Sequence, residues 1–160
     1  MVYSREIIQE VKKWPYNYEV GPVAEVNPED VPVIGINCQF LVHIFLKELL
    51  IQPGYMAIPD YYRSKEIYED EQSLFEKVSI GATLRERDVL LFHHSPQVTD
   101  AKQLHLGLVY GVLDTSGQVK VMHTSLETAG FAIESLDAIR QRKRNRYLVA
   151  VRRPSVKFFN

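Results

Sequence analysis

The sequence predicts an α+β fold, a helix packed on one face of an antiparallel sheet. Three observations predict it. Residues 37–50 carry apolar side chains at helical spacing. From residue 89 onward the period shortens to that of strands. The connections between those strands are short, which favours antiparallel neighbours over crossovers. A chain of 160 residues suits one domain. We read residues 1–30 as an N-terminal extension of helix plus loop.

The elements follow in order. Ile7, Ile8 and Val11 sit at helical spacing in SREIIQEVKK, residues 4–13, with Ser4 as a first-turn cap and Pro15 as the stop. Residues 15–35 hold four prolines and two glycines, a loop-rich approach segment. In NCQFLVHIFLKELL, Cys38, Leu41, Val42, Phe45, Leu46 and Leu49 form the stripe of an amphipathic helix. Asn37 is its N-cap, and Gln52-Pro53-Gly54 ends it. A short helix is placed at 64–77. Val89–Phe92 is a buried strand. In the next strand Leu106, Leu108 and Tyr110 alternate with His105, Gly107 and Val109. Asp114–Gly117 is a turn, Val119–His123 a third strand. Residues 135–143 form a short basic helix capped by Ser135, and Tyr147–Val151 is the last strand.

Composition narrows the function classes. Hydrophobic residues make up 46% of the chain and charged residues 24%, an ordinary globular balance. A net charge of −1 gives no electrostatic footprint for nucleic acid or an anionic membrane. No stretch approaches the roughly 20 apolar residues of a membrane span. The start lacks an apolar run followed by a small-residue cleavage site, so a cytoplasmic location is expected. The single cysteine excludes an intramolecular disulfide and a zinc site built on several thiolates.

Three residues carry candidate chemistry. Cys38 stands at the first turn of the strongest helix. Partial positive charge and N–H groups outside the helix ladder favour a thiolate there and can hold an oxyanion. The competing reading is a core thiol, since Cys38 also begins the apolar stripe. His105 opens a strand beside Gly107, which leaves room next to the ring, and a thiol nucleophile needs such a base. The competing reading is a strand-end histidine satisfied by backbone. His123 lies near the same end of the hairpin as His105 and can orient it, against a reading as an edge-of-sheet polar residue. His43 lies about 140° around the helix from Cys38. His93 and His94 follow a strand, but neighbouring side chains on extended chain point to opposite sides, and no carboxylate has ligand spacing. No metal site is expected.

Four segments together resemble the NlpC-type papain-like cysteine peptidase family, relatives of bacterial cell-wall hydrolases. Asn37-Cys38-Gln39-Phe40-Leu41-Val42 resembles the Asp-Cys-Ser-Gly-Leu-Val nucleophile motif. Arg87-Asp88-Val89-Leu90-Leu91-Phe92 resembles Gly-Asp-Leu-Val-Phe-Phe. His105-Leu106-Gly107-Leu108-Val109-Tyr110-Gly111 resembles the segment with the base, and Val121-Met122-His123-Thr124-Ser125 the one with the third polar residue. The tail from Tyr147 to Arg153 is similar to the family's closing strand. Asn37, Gln39-Phe40 and Arg87 depart from the family pattern, and its upstream Tyr with a Gly-Gly pair has no clear counterpart.

The resemblance implies a papain-like fold and cleavage of an amide bond through a thioester by Cys38, His105 and His123, without a cofactor. Its substrate would be a peptide or small amide, with peptidoglycan stem peptides one option. Two alternatives stay open: an acyl- or thioester-processing amidase on a non-wall substrate, and a non-catalytic binding module on the same scaffold.

Overall fold

The computed structural model describes residues 3, 5–20, 30–47, 63–113 and 118–159. The expected Ser4 cap, the helix end at 48–50, the Gln52-Pro53-Gly54 stop and the Asp114–Gly117 turn lie outside these residues. Among the described residues, six strands hydrogen-bond in the order β1-β6-β2-β3-β4-β5. They are β1 (Phe75–Val78), β2 (Val89–His93), β3 (His105–Leu113), β4 (Gln118–Ser125), β5 (Gly130–Ser135) and β6 (Tyr147–Pro154). The pairings of β1, β2 and β4 with their neighbours β6 and β3 are antiparallel. This is the mixed α and β architecture that the change of period predicts. The chain divides into two compact units, Met1–Tyr61 with His123–Ala132, and Tyr62–Met122 with Ile133–Asn160. No helix among the described residues is long and apolar enough to cross a membrane.

The first unit is built around a nine-residue helix. Its described helices are α1 (Arg5–Val11), α2 (Val31–Ile34) and α3 (Cys38–Leu46). α1 buries Ile7, Ile8 and Val11, as its spacing predicts, and the chain then turns at Trp14. Sequence spacing makes α3 amphipathic, but the structure buries it on every side. Cys38 and Phe40–Leu46 are all buried, and Gln39 alone is partly open. A helix that is apolar all round belongs inside a core. Phe45 meets the Tyr3 ring edge-on at 5.8 Å and the Phe131 ring at 6.0 Å. The approach to α3 is held by a parallel bridge between Tyr16 and Ile36. Gly35 enters that bridge at φ +86°, in the left-handed region that favours glycine.

The second unit holds most of the sheet. α4 (Ser64–Glu69) stops well short of the helix expected at 64–77. Asp70 ends it at φ 47°, and its carboxylate accepts the N–H groups of Leu74 (2.8 Å) and Phe75 (3.1 Å). Those bonds turn the chain into β1, which pairs with β6. Buried Arg152 closes the other side of the turn, donating to the α4 carbonyls of Ile67 (3.3 Å) and Tyr68 (2.6 Å). A cation there meets the negative end of the helix dipole. Burial pushes the Arg152 pKa down, and the Asp70 carboxylate and Tyr68 oppose it.

β2 is buried at all five positions. One face of the sheet packs Leu90, Phe92, Val109, Val121 and Val151 against Ile139 of α5 (Leu136–Arg140). Ser135 caps α5 as expected, accepting the Ala138 N–H at 3.2 Å. The helix is shorter than the expected 135–143, because Lys143–Asn145 tightens into a 3-10 turn. α6 (Val156–Phe159) ends the described chain and seats Phe158 against Phe75.

Arg87 occupies the position where the resembled motif has glycine, and its φ is +73°. A side chain there costs roughly 1–2 kcal/mol relative to ordinary backbone. Arg87→Gly and Arg87→Ala both delete the guanidinium, so their difference isolates the backbone. We expect the glycine variant to be about 1 kcal/mol the more stable in urea denaturation. Equal stabilities would show that the conformation carries no strain.

Candidate active site

Asn37 builds the start of α3. Its Oδ1 accepts the Phe40 N–H at 2.9 Å, the capping bond that the sequence predicts. Its Nδ2 donates to the Tyr18 carbonyl at 3.2 Å and its backbone N–H to the Val20 carbonyl at 2.9 Å. Asn17 ties the same loop to the Ile34 carbonyl at 3.0 Å. The helix start is therefore clamped from two sides. Tyr18, 73% exposed, and Val33, 79% exposed, leave apolar surface on the loop and on α2.

Cys38 is the first helical residue, directly after that clamp, and is 8% exposed. It is the chain's one thiol and is not in a disulfide. The backbone N–H groups of the first turn lie outside the i→i−4 ladder and carry the positive end of the dipole. A thiolate or a developing oxyanion is the species such a position stabilises. The same burial also satisfies the core reading of Cys38. His43, five residues on, is 1% exposed.

His123 belongs to the same unit as Cys38. It is fully buried near the end of β4, followed by buried Thr124 and Ser125. This is not the half-open setting of an edge-of-sheet polar residue. Thr124 Oγ1 has no hydrogen-bond partner among the described residues. Ser125 Oγ lies 3.0 Å from Thr128 Oγ1, which donates to the Gly130 carbonyl at 2.6 Å. These hydroxyls fix the turn between β4 and β5. Ser125 and Thr128 at turn spacing are the sequence signal for them.

His105 belongs to the second unit. It is the first residue of β3, in register with Phe92 of β2, and is partly buried. Its ring centroid is 6.1 Å from that of Phe92. The room expected beside Gly107 is taken. A Cβ on Gly107 would lie 2.6 Å from Val121 Cγ1 and 3.3 Å from the Phe92 ring. Glycine here admits its neighbours, not a ligand.

His93 and His94 differ from the alternation argument. Their rings lie 4.2 Å apart at 33°, because β2 ends at His93 and the chain bends there. His93 Nδ1 lies 3.2 Å from the Ser95 nitrogen and 3.1 Å from its carbonyl oxygen. The buried His93 Nε2 has no partner among the described residues. Among those residues, no group of three or more His, Cys, Asp or Glu is placed to hold a metal ion.

No protein-family model, no curated protein and no solved structure matches the chain.

Proposed function

We propose that this chain is a cysteine hydrolase of papain-like type that cleaves an amide bond through a thioester. The observation that carries the reading is Cys38 as the first residue of α3, behind a capped and clamped helix start. The ordered resemblance to NlpC-type motifs supports it. So does Arg87, whose positive φ fits the glycine of the resembled strand motif.

In this reading Cys38 Sγ attacks the carbonyl carbon while His105 takes the thiol proton. The Cys38 N–H at the start of α3 helps hold the oxyanion. The amine leaves with the proton from His105, giving the thioester. Water then attacks the thioester, again deprotonated by His105, and the acid and the free thiol are released. His123 is the positioning residue that keeps His105 in its reactive tautomer. Peptide amides are the substrate class, and peptidoglycan stem peptides are the first to assay.

The test combines thiol alkylation against pH, read by intact mass, with hydrolysis of peptidoglycan fragments. We expect the Cys38 thiol to titrate well below the free value of about 8.5. We expect Cys38→Ala to abolish turnover and His105→Ala to lower it by about 100-fold or more. An ordinary thiol pKa, together with full activity in Cys38→Ala, would sink the proposal.

A further inference from the structure

The basic run RQRKRNR, residues 140–146, has no part in the reading above. It holds five cations and no acid, so a net charge of −1 over the whole chain conceals a strongly positive segment. The run lies wholly within the second unit. Arg142 is neutralised by Glu134, in a two-point pair at 2.8 and 2.7 Å. Arg140, Lys143 and Arg146 are exposed, with no carboxylate at ion-pair distance among the described residues. Arg144 is a fourth exposed cation.

The run is folded into a fixed turn. The Arg142 N–H donates to the Ile139 carbonyl at 3.2 Å, and the Asn145 N–H to the Arg142 carbonyl at 3.0 Å. Arg140 Nε closes the loop on the Arg146 carbonyl at 3.1 Å, and Asn145 inside it is 3% exposed. Like charges held this close repel one another, and an anionic partner relieves that repulsion. The cations are ordered before any partner arrives, so less side-chain and loop freedom is lost on binding.

The chemistry of the run selects the partner. It contains no apolar residue, and its neighbours Ile139 and Tyr147 are buried and partly buried, so it offers nothing to insert into a bilayer. No exposed aromatic ring stands in it, so unpaired bases have no stacking platform. It has no carboxylate to accept a ribose 2′-hydroxyl, the contact that distinguishes RNA. What remains is a compact set of phosphate-binding donors, mostly guanidinium. Duplex DNA presents one charge per roughly 1.7 Å of axis and releases condensed counterions when cations replace them. That release drives binding by a small cationic patch far more than a dilute row of carboxylates does.

We propose that the turn at residues 140–146 docks on the phosphate backbone of duplex DNA through Arg140, Lys143 and Arg146. The contact carries no base readout, so it binds without sequence preference. It is separate from the hydrolase reading and stands or falls without it.

The test is fluorescence anisotropy of a labelled DNA duplex of about 20 base pairs, titrated with the full chain. We expect a dissociation constant of roughly 10–100 μM at about 50 mM salt. Three phosphate contacts predict that log K falls with log salt at a slope of about −2.7. Arg140→Gln/Lys143→Gln/Arg146→Gln should weaken binding at least about tenfold and flatten that slope toward zero. Arg140→Lys/Arg146→Lys, which keeps the charges, should stay within about threefold of wild type. Lys65→Gln/Lys77→Gln/Lys102→Gln removes as many exposed charges elsewhere in the same unit and should also stay within about threefold.

No binding by wild type at about 20 mM salt overturns the proposal, whatever the variants do. So do equal losses in the two triple-glutamine variants, because the effect is then overall charge and not this turn. Tighter binding, lost in the Arg140/Lys143/Arg146 variant, to duplex RNA, to polyglutamate or to phosphatidylserine vesicles also overturns it, and names the partner in its place.

Discussion

Gly35→Ala is expected to lower the unfolding free energy by about 3 kcal/mol or more. Two costs combine. The residue sits at φ +86°, where an L side chain is strained by roughly 1–2 kcal/mol. A Cβ there would also lie 2.1 Å from the Pro15 carbonyl oxygen and 2.6 Å from its carbon. Both are backbone atoms, so no rotamer change relieves the clash. The Pro15 oxygen accepts the Ile36 N–H at 3.1 Å, and Ile36 in turn accepts the Asn17 N–H at 2.9 Å. Pushing Pro15 away breaks the bridge that leads into α3. In a chain of this size the melting temperature should fall by roughly 6–12 °C. The damage is local to the clamp on Asn37, so iodoacetamide labelling of Cys38 should change in the folded variant below that temperature. A melting temperature within about 1 °C of wild type would show that the loop has another way to reach α3.

Arg153→Met is expected to cost about 3 kcal/mol, for a different reason. Asp88 is fully buried, and its two oxygens take Arg153 Nε at 2.8 Å and Nη2 at 2.9 Å. The Arg85 N–H adds a third bond at 2.8 Å. That pairing holds the Arg153 pKa above its usual value, chiefly through the hydrogen bonds to Asp88. Removing the guanidinium leaves a buried carboxylate with one N–H partner. Breaking a buried pair this way costs roughly 3–5 kcal/mol, and the lower end applies because Arg153 is itself partly open to water. Arg153→Met/Asp88→Asn should recover about half of the loss in urea denaturation, since the buried charge is then gone. Strictly additive losses would show that the two side chains do not depend on each other. The geometry makes Asp88 a tie between the start of β2 and β6, where the Val109 N–H also bonds the Asp88 carbonyl at 2.9 Å.

Much of the fold was legible where local signals act alone. The Asn37 and Ser135 caps, the stop after α1 and the strands around Leu90, Leu108, Val121 and Val149 follow from spacing and cap chemistry. Tertiary forces decided the rest. Residues 72–77 have acceptable helical composition, but Asp70 in the left-handed region ends α4, and the pairing of Phe75 with Pro154 starts β1 at Phe75. β5 has no clear signal in the sequence, because Phe131, Ile133 and Leu136 mix with a turn and a cap. Residues 135–143 have helical composition, yet α5 ends at Arg140 and Lys143–Asn145 form a 3-10 turn. Of the candidate site, the place of Cys38 at a helix start was legible from Asn37 and the apolar run behind it. The packing of Val121 and Phe92 into the gap at Gly107 was not, because it depends on cross-strand register.

The turn after α4 has one more effect. Among the described residues, β1 is the outermost strand on its side of the sheet and only four residues long. Such an edge presents backbone groups to which another chain can add a strand. Here Asp70 already takes the N–H groups of Leu74 and Phe75, and Glu76 and Lys77 expose opposite charges along the remainder. An incoming strand would have to displace a carboxylate and bury two ions for very few ladder bonds. The device that ends a helix thus also guards the protein against edge-to-edge aggregation.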